Sequence, residues 1–96
     1  MSPIKKKKLD KLRKELDQLD NSLLKVIKRR TDIVKKVLKL KEFKNQIVDK
    51  KRIKIILKNI KIKSIKNDID PKITQKIWKN MIWSYIDYER RNFKKK

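Results

Sequence analysis

Between Leu9 and Lys41 the chain has no Pro and no Gly, and its aliphatic residues recur every three or four positions: Leu9, Leu12, Leu16, Leu19, Leu23 and Val26, then Ile33, Val37 and Leu40. That spacing puts one apolar stripe on a single long helix, with the alternating step of a coiled-coil seam. Such a seam has to be covered by other helices, so the chain is predicted to be all-α. Continuing the step from Val26 puts the next seam position at residue 30, which is Arg. A guanidinium within the seam points to an interior that holds something anionic.

The first helix is predicted from near residue 5 to about Lys44, after a frayed, solvated lead-in ending in Lys5 to Lys8. Asn45-Gln46-Ile47-Val48 reads as a connection anchored by Ile47 and Val48. Asp49 fits the N-cap of a second helix that carries Ile53, Ile56, Leu57 and Ile60 on one face. Ile60-Lys61-Ile62-Lys63 alternates like a strand, but a lone short strand has no partner, so the helix is expected to continue. In Asn67-Asp68-Ile69-Asp70-Pro71, Asp70 is the expected N-cap and Pro71 the first residue of a third helix. Its apolar face uses Ile73, Ile77, Trp78, Met81, Ile82, Tyr85, Ile86 and Tyr88. The prediction is therefore one domain over residues 1–96, with one long helix, two shorter ones and basic tails at 1–8 and 92–96.

Charged residues make up 45% of the chain and apolar residues 38%, so a lone three-helix subunit is expected to bury little core. Burial across an oligomer interface is the expected remedy. With no Cys and no His, disulfide, thiolate and imidazole chemistry are excluded. No apolar run approaches the length of a membrane span, and Met1-Ser2-Pro3-Ile4 lacks the apolar stretch of a secretory signal, so a cytoplasmic location is expected. The net charge of +21 suits a nucleic-acid or anionic-membrane partner. Abundant Lys, Ile and Asn beside absent Gly and Ala would equally follow from AT-rich coding or from deliberate alphabet reduction. A basic nucleic-acid-binding helical module is the more distant functional alternative, and Arg30 within the seam is the feature it explains worst.

Arg30 and Lys41 are 11 residues apart, which on a helix is three turns plus about 20°, about 16 Å along one face. Two long cationic side chains so placed could hold a small dianion. Arg13 lies 17 residues before Arg30, about 25 Å away along the axis, and could reach the same ligand only from an antiparallel partner helix. Arg52 and Glu89 are the polar interruptions on the second and third helices. The competing reading is scattered surface charge: Lys41 solvated, Arg13 beside Asp10 or Asp17, Arg30 paired with Glu15 or Asp20 across an interface, and Glu89 beside Arg90.

The order of these residues resembles a known family. Leu12-Arg13-Lys14-Glu15-Leu16-Asp17-Gln18-Leu19-Asp20, Leu23-Leu24, Arg29-Arg30, Val37 and Lys41 are similar to the first helix of the all-helical, AroQ-class chorismate mutases. Ile47-Val48-Asp49-Lys50-Lys51-Arg52 resembles that family's loop and second-helix start, and Ile69-Asp70-Pro71-Lys72-Ile73 through Ile82 the start of its third helix. The resemblance covers about residues 9 to 91. It implies an intertwined homodimeric helical bundle with two identical sites for a small dianionic substrate, chorismate or isochorismate. Its substrate-binding cations match Arg13 from the partner subunit, Arg30, Lys41 and Arg52. Its polar group at the ether oxygen, usually Gln, matches Glu89, and Asp49 and Tyr85 complete the expected substrate contacts.

The activity implied is the cofactor-free and metal-free pericyclic rearrangement of chorismate to prephenate, a shikimate-pathway step towards aromatic amino acids. Arg13 and Arg30 would hold the carboxylates and Lys41 would donate to the breaking ether, with Arg30, Lys41 and Glu89 carrying the catalysis. Glu89 can donate only when protonated. There are three departures from the mutase pattern, and two of them, Ile53 and Tyr85, lean with Arg30-Thr31-Asp32 and Val34-Lys35 towards a sister branch, the isochorismate pyruvate-lyases, which make salicylate and pyruvate. Ile53 stands where many mutases have Glu, Tyr85 stands where a small polar residue is frequent, and the loop from Lys41 to Arg52 is one residue shorter than usual.

Overall fold

A computed structural model describes residues 2–94 of the chain. Helix α1 spans Pro3–Leu40, and it starts earlier than the sequence suggested. Ser2 caps it by accepting from the Lys5 N–H at 3.2 Å, and Pro3 supplies a first residue that needs no N–H partner. Lys5 to Lys8 are thus helical rather than frayed. The other end also differs: α1 stops at Leu40, not near Lys44. The Lys41 N–H bonds to the Leu38 carbonyl at 3.2 Å, three residues back, which tightens the last turn. The next two N–H groups, of Glu42 and Phe43, turn to the Gln46 side chain instead of the helix. Lys41 therefore lies one residue past the helix, so the helical phase relating it to Arg30 stops short of it. Met1, Lys95 and Lys96, at the extremes of the two predicted basic tails, lie outside the described residues.

The chain divides into two compact units, one ending at Ile33 and the other starting at Val34. The first contains helical turns of α1 alone. Its seam residues Leu12, Leu16, Leu19 and Leu23 are 56%, 58%, 64% and 56% exposed. Lys28 and Asp32 pair one turn apart at 2.9 Å, a solvated contact worth a few tenths of a kcal/mol at most.

The second unit holds a short 3₁₀ turn, Lys44–Gln46, then helix α2, Lys50–Lys66, and helix α3, Pro71–Asn92. Asp49 caps α2 through the Arg52 N–H at 3.0 Å, and Asp70 caps α3 through the Lys72 N–H at 2.9 Å, both as expected. Residues 60–63 are helical despite their alternation. Helix α2 packs on α3. Part of that contact is polar: the buried hydroxyls of Ser64 and Thr74 meet at 2.7 Å. Ser64 spends its proton on the Ile60 carbonyl at 2.6 Å, so Thr74 is the donor of the pair. Gln75 Nε2 adds a bond to the Leu57 carbonyl at 2.8 Å.

Little apolar surface is fully buried, as the composition suggested. Ile47 and Ile86 are the buried hydrophobic residues, at 4% and 5% exposure. Ile53, Ile56, Leu57 and Ile60 on α2 are half-buried, as are Trp78, Met81, Ile82, Tyr85 and Tyr88 on α3. Ile73 and Ile77 depart from the predicted apolar face by being exposed. The face of α3 turned to α2 carries Thr74 and Gln75, one and two positions round the helix from Ile73. Among the described residues, no helix is long and apolar enough to cross a membrane.

Helix α2 ends in a Schellman turn. The Ile69 N–H bonds to the Ser64 carbonyl at 2.9 Å and the Asp68 N–H to the Ile65 carbonyl at 3.2 Å. This closure needs a left-handed residue, and Asp68 supplies it at φ 57° in a chain without Gly. Asp tolerates this region better than most residues but not freely. Asp68→Gly should therefore match or exceed wild-type stability, while Asp68→Val should cost about 1–2 kcal/mol. Urea denaturation of both variants checks this, and equal losses in the two would exclude the left-handed turn.

Candidate functional site

Lys41 and Glu89 form the buried charged centre of the second unit. Glu89 sits in the last turns of α3, four residues after Tyr85 and therefore on the same face. Its neighbour Ile86 is buried. Lys41 enters from the loop after α1, and its Nζ donates to Oε1 and Oε2 of Glu89 at 3.0 and 3.1 Å. The two side chains are only 19% and 7% exposed. Charges withdrawn from water to this degree are tolerated when they meet an opposite charge, and removal of either would strand the other. The solvated-lysine reading of Lys41 and the Arg90-paired reading of Glu89 are thus both overturned. An ammonium group has three N–H donors, and two are occupied by the carboxylate. One remains to address an oxygen of a ligand.

Asp49 and Arg52 come together at the start of α2, but through the Asp49 carboxylate and the Arg52 backbone N–H. Both residues are exposed, and the Arg52 guanidinium has no ion-pair partner among the described residues. Tyr85 and Ile53 are half-buried. Arg13 and Arg30 lie exposed in the first unit, about 25 Å apart along α1. Arg13 forms no ion pair with Asp10 or Asp17 within the chain. One subunit's helix therefore cannot present both arginines to one small ligand.

An open cavity of about 350 Å³ lies beside Lys35, Leu38, Tyr88, Asn92 and Phe93, and none of the predicted site residues lines it. Among the described residues there is no cluster of His, Cys, Asp or Glu that could hold a metal ion. Sequence reasoning did not single out Gln46, whose side chain gathers the two N–H groups following Lys41. Its only sequence signal is a polar residue of the right length three positions after Phe43. The site so built offers a cation whose direction is set by the two oxygens of Glu89.

Comparison with known families matches residues 12–90 to the family model described as chorismate mutase type II. Comparison with curated proteins gives no match, and neither does comparison with solved structures. The family match runs from Leu12, the second residue of the α1 seam, to the residue after Glu89 and takes in every predicted site residue. It agrees with the resemblance drawn from the stretches 12–20, 47–52 and 69–82, and with an all-helical fold without strands among the described residues. The chain belongs to the type II chorismate mutase family.

Proposed function

We propose that the chain is a chorismate mutase which converts chorismate to prephenate in a site shared between two copies of itself. The observation that carries this reading is the buried Lys41–Glu89 pair in a chain of this family. A pericyclic rearrangement needs no nucleophile. It needs the flexible side arm of the substrate held against the ring, and charge stabilisation where the carbon–oxygen bond breaks. Lys41 donates its third N–H to the ether oxygen as negative charge builds there. Glu89 holds the ammonium by two oxygens, which fixes its direction. Arg30 and the partner copy's equivalent of Arg13 clamp the two carboxylates, and bidentate geometry suits guanidinium for that task. Arg52 steadies the clamp, with Asp49 and Tyr85 beside it. The exposed leucines of α1 supply the dimer seam, so the same pairing covers apolar surface and brings the distant arginine in.

Isochorismate pyruvate-lyase activity is the second reading, favoured by Ile53 and Tyr85. Separate incubation with chorismate and isochorismate distinguishes them: the mutase yields prephenate from the first, the lyase salicylate and pyruvate from the second. In the mutase, Ile53→Glu should leave chorismate turnover intact or raise it. Loss of isochorismate turnover in that variant, with no prephenate formed by the wild type, would establish the lyase instead.

Glu89 accepts from Lys41 Nζ through both oxygens, and loss of its charge tests how far that hold matters. Glu89→Gln keeps an oxygen for Lys41 and adds a permanent N–H donor of nearly the same shape. It should retain turnover, because one oxygen still directs the ammonium while the new N–H faces the ether, with circular dichroism verifying the fold. A folded variant without turnover would show that Lys41 needs the full carboxylate.

A further inference from the structure

The segment that carries Lys41 has left the helix, so something else must hold it. Lys41 lies one residue beyond α1, and a long side chain on a loose loop would be a poor donor to a reacting oxygen. Its own N–H is tied back to the Leu38 carbonyl at 3.2 Å. The two N–H groups that follow, of Glu42 and Phe43, converge on Gln46 Oε1 at 2.7 and 2.9 Å. Because both partners are donors, the amide must present its oxygen to them, which fixes the orientation of the Gln46 side chain. Gln46 is held in turn: its N–H bonds to the Phe43 carbonyl at 3.0 Å, and the next residue, Ile47, bonds to the Lys44 carbonyl at 3.2 Å and is buried to 4% exposure. The loop thus closes on itself around one side-chain oxygen, and Ile47 pins it to the protein interior.

We propose that Gln46 is a positioning residue for Lys41: its amide oxygen takes the place of the Leu38 and Lys39 carbonyls that would accept from the Glu42 and Phe43 N–H groups in a continued helix, and it holds the loop so that the Lys41 ammonium reaches both Glu89 oxygens and the substrate. The inference rests on the reading of Lys41 as the donor to the ether oxygen. Residue 46 is exposed, and water can satisfy the Glu42 and Phe43 N–H groups if the side chain is lost. Its removal should therefore loosen the loop while leaving the fold in place. The function needs an acceptor at this position and makes no use of the amide nitrogen. Glu has the same length and offers carboxylate oxygens that accept from backbone N–H groups, whereas Leu has a similar bulk and no acceptor.

The test compares wild type, Gln46→Leu and Gln46→Glu in the full chain. Amide hydrogen exchange is read at Glu42 and Phe43, and kcat and KM are read with chorismate. In Gln46→Leu, protection at those two amides should be lost. There kcat should fall roughly ten- to hundredfold, since displacement of a catalytic group by about 1 Å can cost as much. KM should change much less, because Lys41 acts mainly as charge develops. Gln46→Glu should recover protection and bring kcat to within about threefold of wild type, as the retained acceptor requires. Wild-type kcat in Gln46→Leu, or equal loss of kcat in both variants, would overturn the positioning role. A wild-type protein inert towards chorismate, with the exchange pattern as described, would instead strike the assigned reaction and leave the role of Gln46 in the loop supported.

Discussion

A buried ammonium and a buried carboxylate have to find each other, and in this chain they are 48 residues apart. The Lys41–Glu89 pair ties the segment after α1 to the last turns of α3. Around it the second unit has few fully buried apolar side chains, chiefly Ile47 and Ile86. The polar contacts are consequently prominent: the Ser64–Thr74 hydroxyl pair, the Gln75 bond to α2 and the Gln46 closure of the loop. Buried pairs of this kind add little net stability, but breaking one leaves an unpaired charge, so they favour a single arrangement.

The same shortage of core explains why the long seam of α1 is informative. Leucines at seam positions along Leu12 to Leu23 remain more than half exposed in one chain. An apolar stripe of that length on a charged protein is what the proposed pairing of two copies would cover. In the proposed homodimer, the contact that covers the seam also completes the anion clamp. Folding and catalysis would then share one interface, and a substitution in the seam would affect both.

Much of the fold was legible because local signals act locally. Asp49 and Asp70 precede their helices as capping residues, and Pro71 marks its helix start, so α2 and α3 begin where the pattern indicates. The end of α1 was not legible. No Pro or Gly follows Lys41 to stop the helix, and what stops it is a side chain five residues further on. A helical phase drawn from Arg30 to Lys41 therefore ran one residue too far. Ile73 and Ile77 continue the apolar face of α3 yet are exposed in the single chain, whereas the contact between α2 and α3 includes Thr74 and Gln75. The partnership of Lys41 with Glu89 carries no periodic signal; Lys41 was named by its spacing from Arg30 and Glu89 as a polar interruption of α3, and the pairing itself needed the tertiary structure.

The central claim is that each site takes cations from two subunits, because Arg13 and Arg30 are too far apart on one helix to clamp one small dianion. Trans-complementation tests it most directly. Arg13→Ala and Arg30→Ala should each lose at least about a hundredfold in kcat/KM, the scale of one charged hydrogen-bonding partner. Unfolding and re-pairing the two variants gives heterodimers in which one of the two sites contains both wild-type arginines. Heterodimers verified by mass should regain a substantial part of the wild-type activity, up to about half, as one competent site in two implies. Verified heterodimers as inactive as either parent would contradict the shared site, and so would an active monomer in the sedimenting sample.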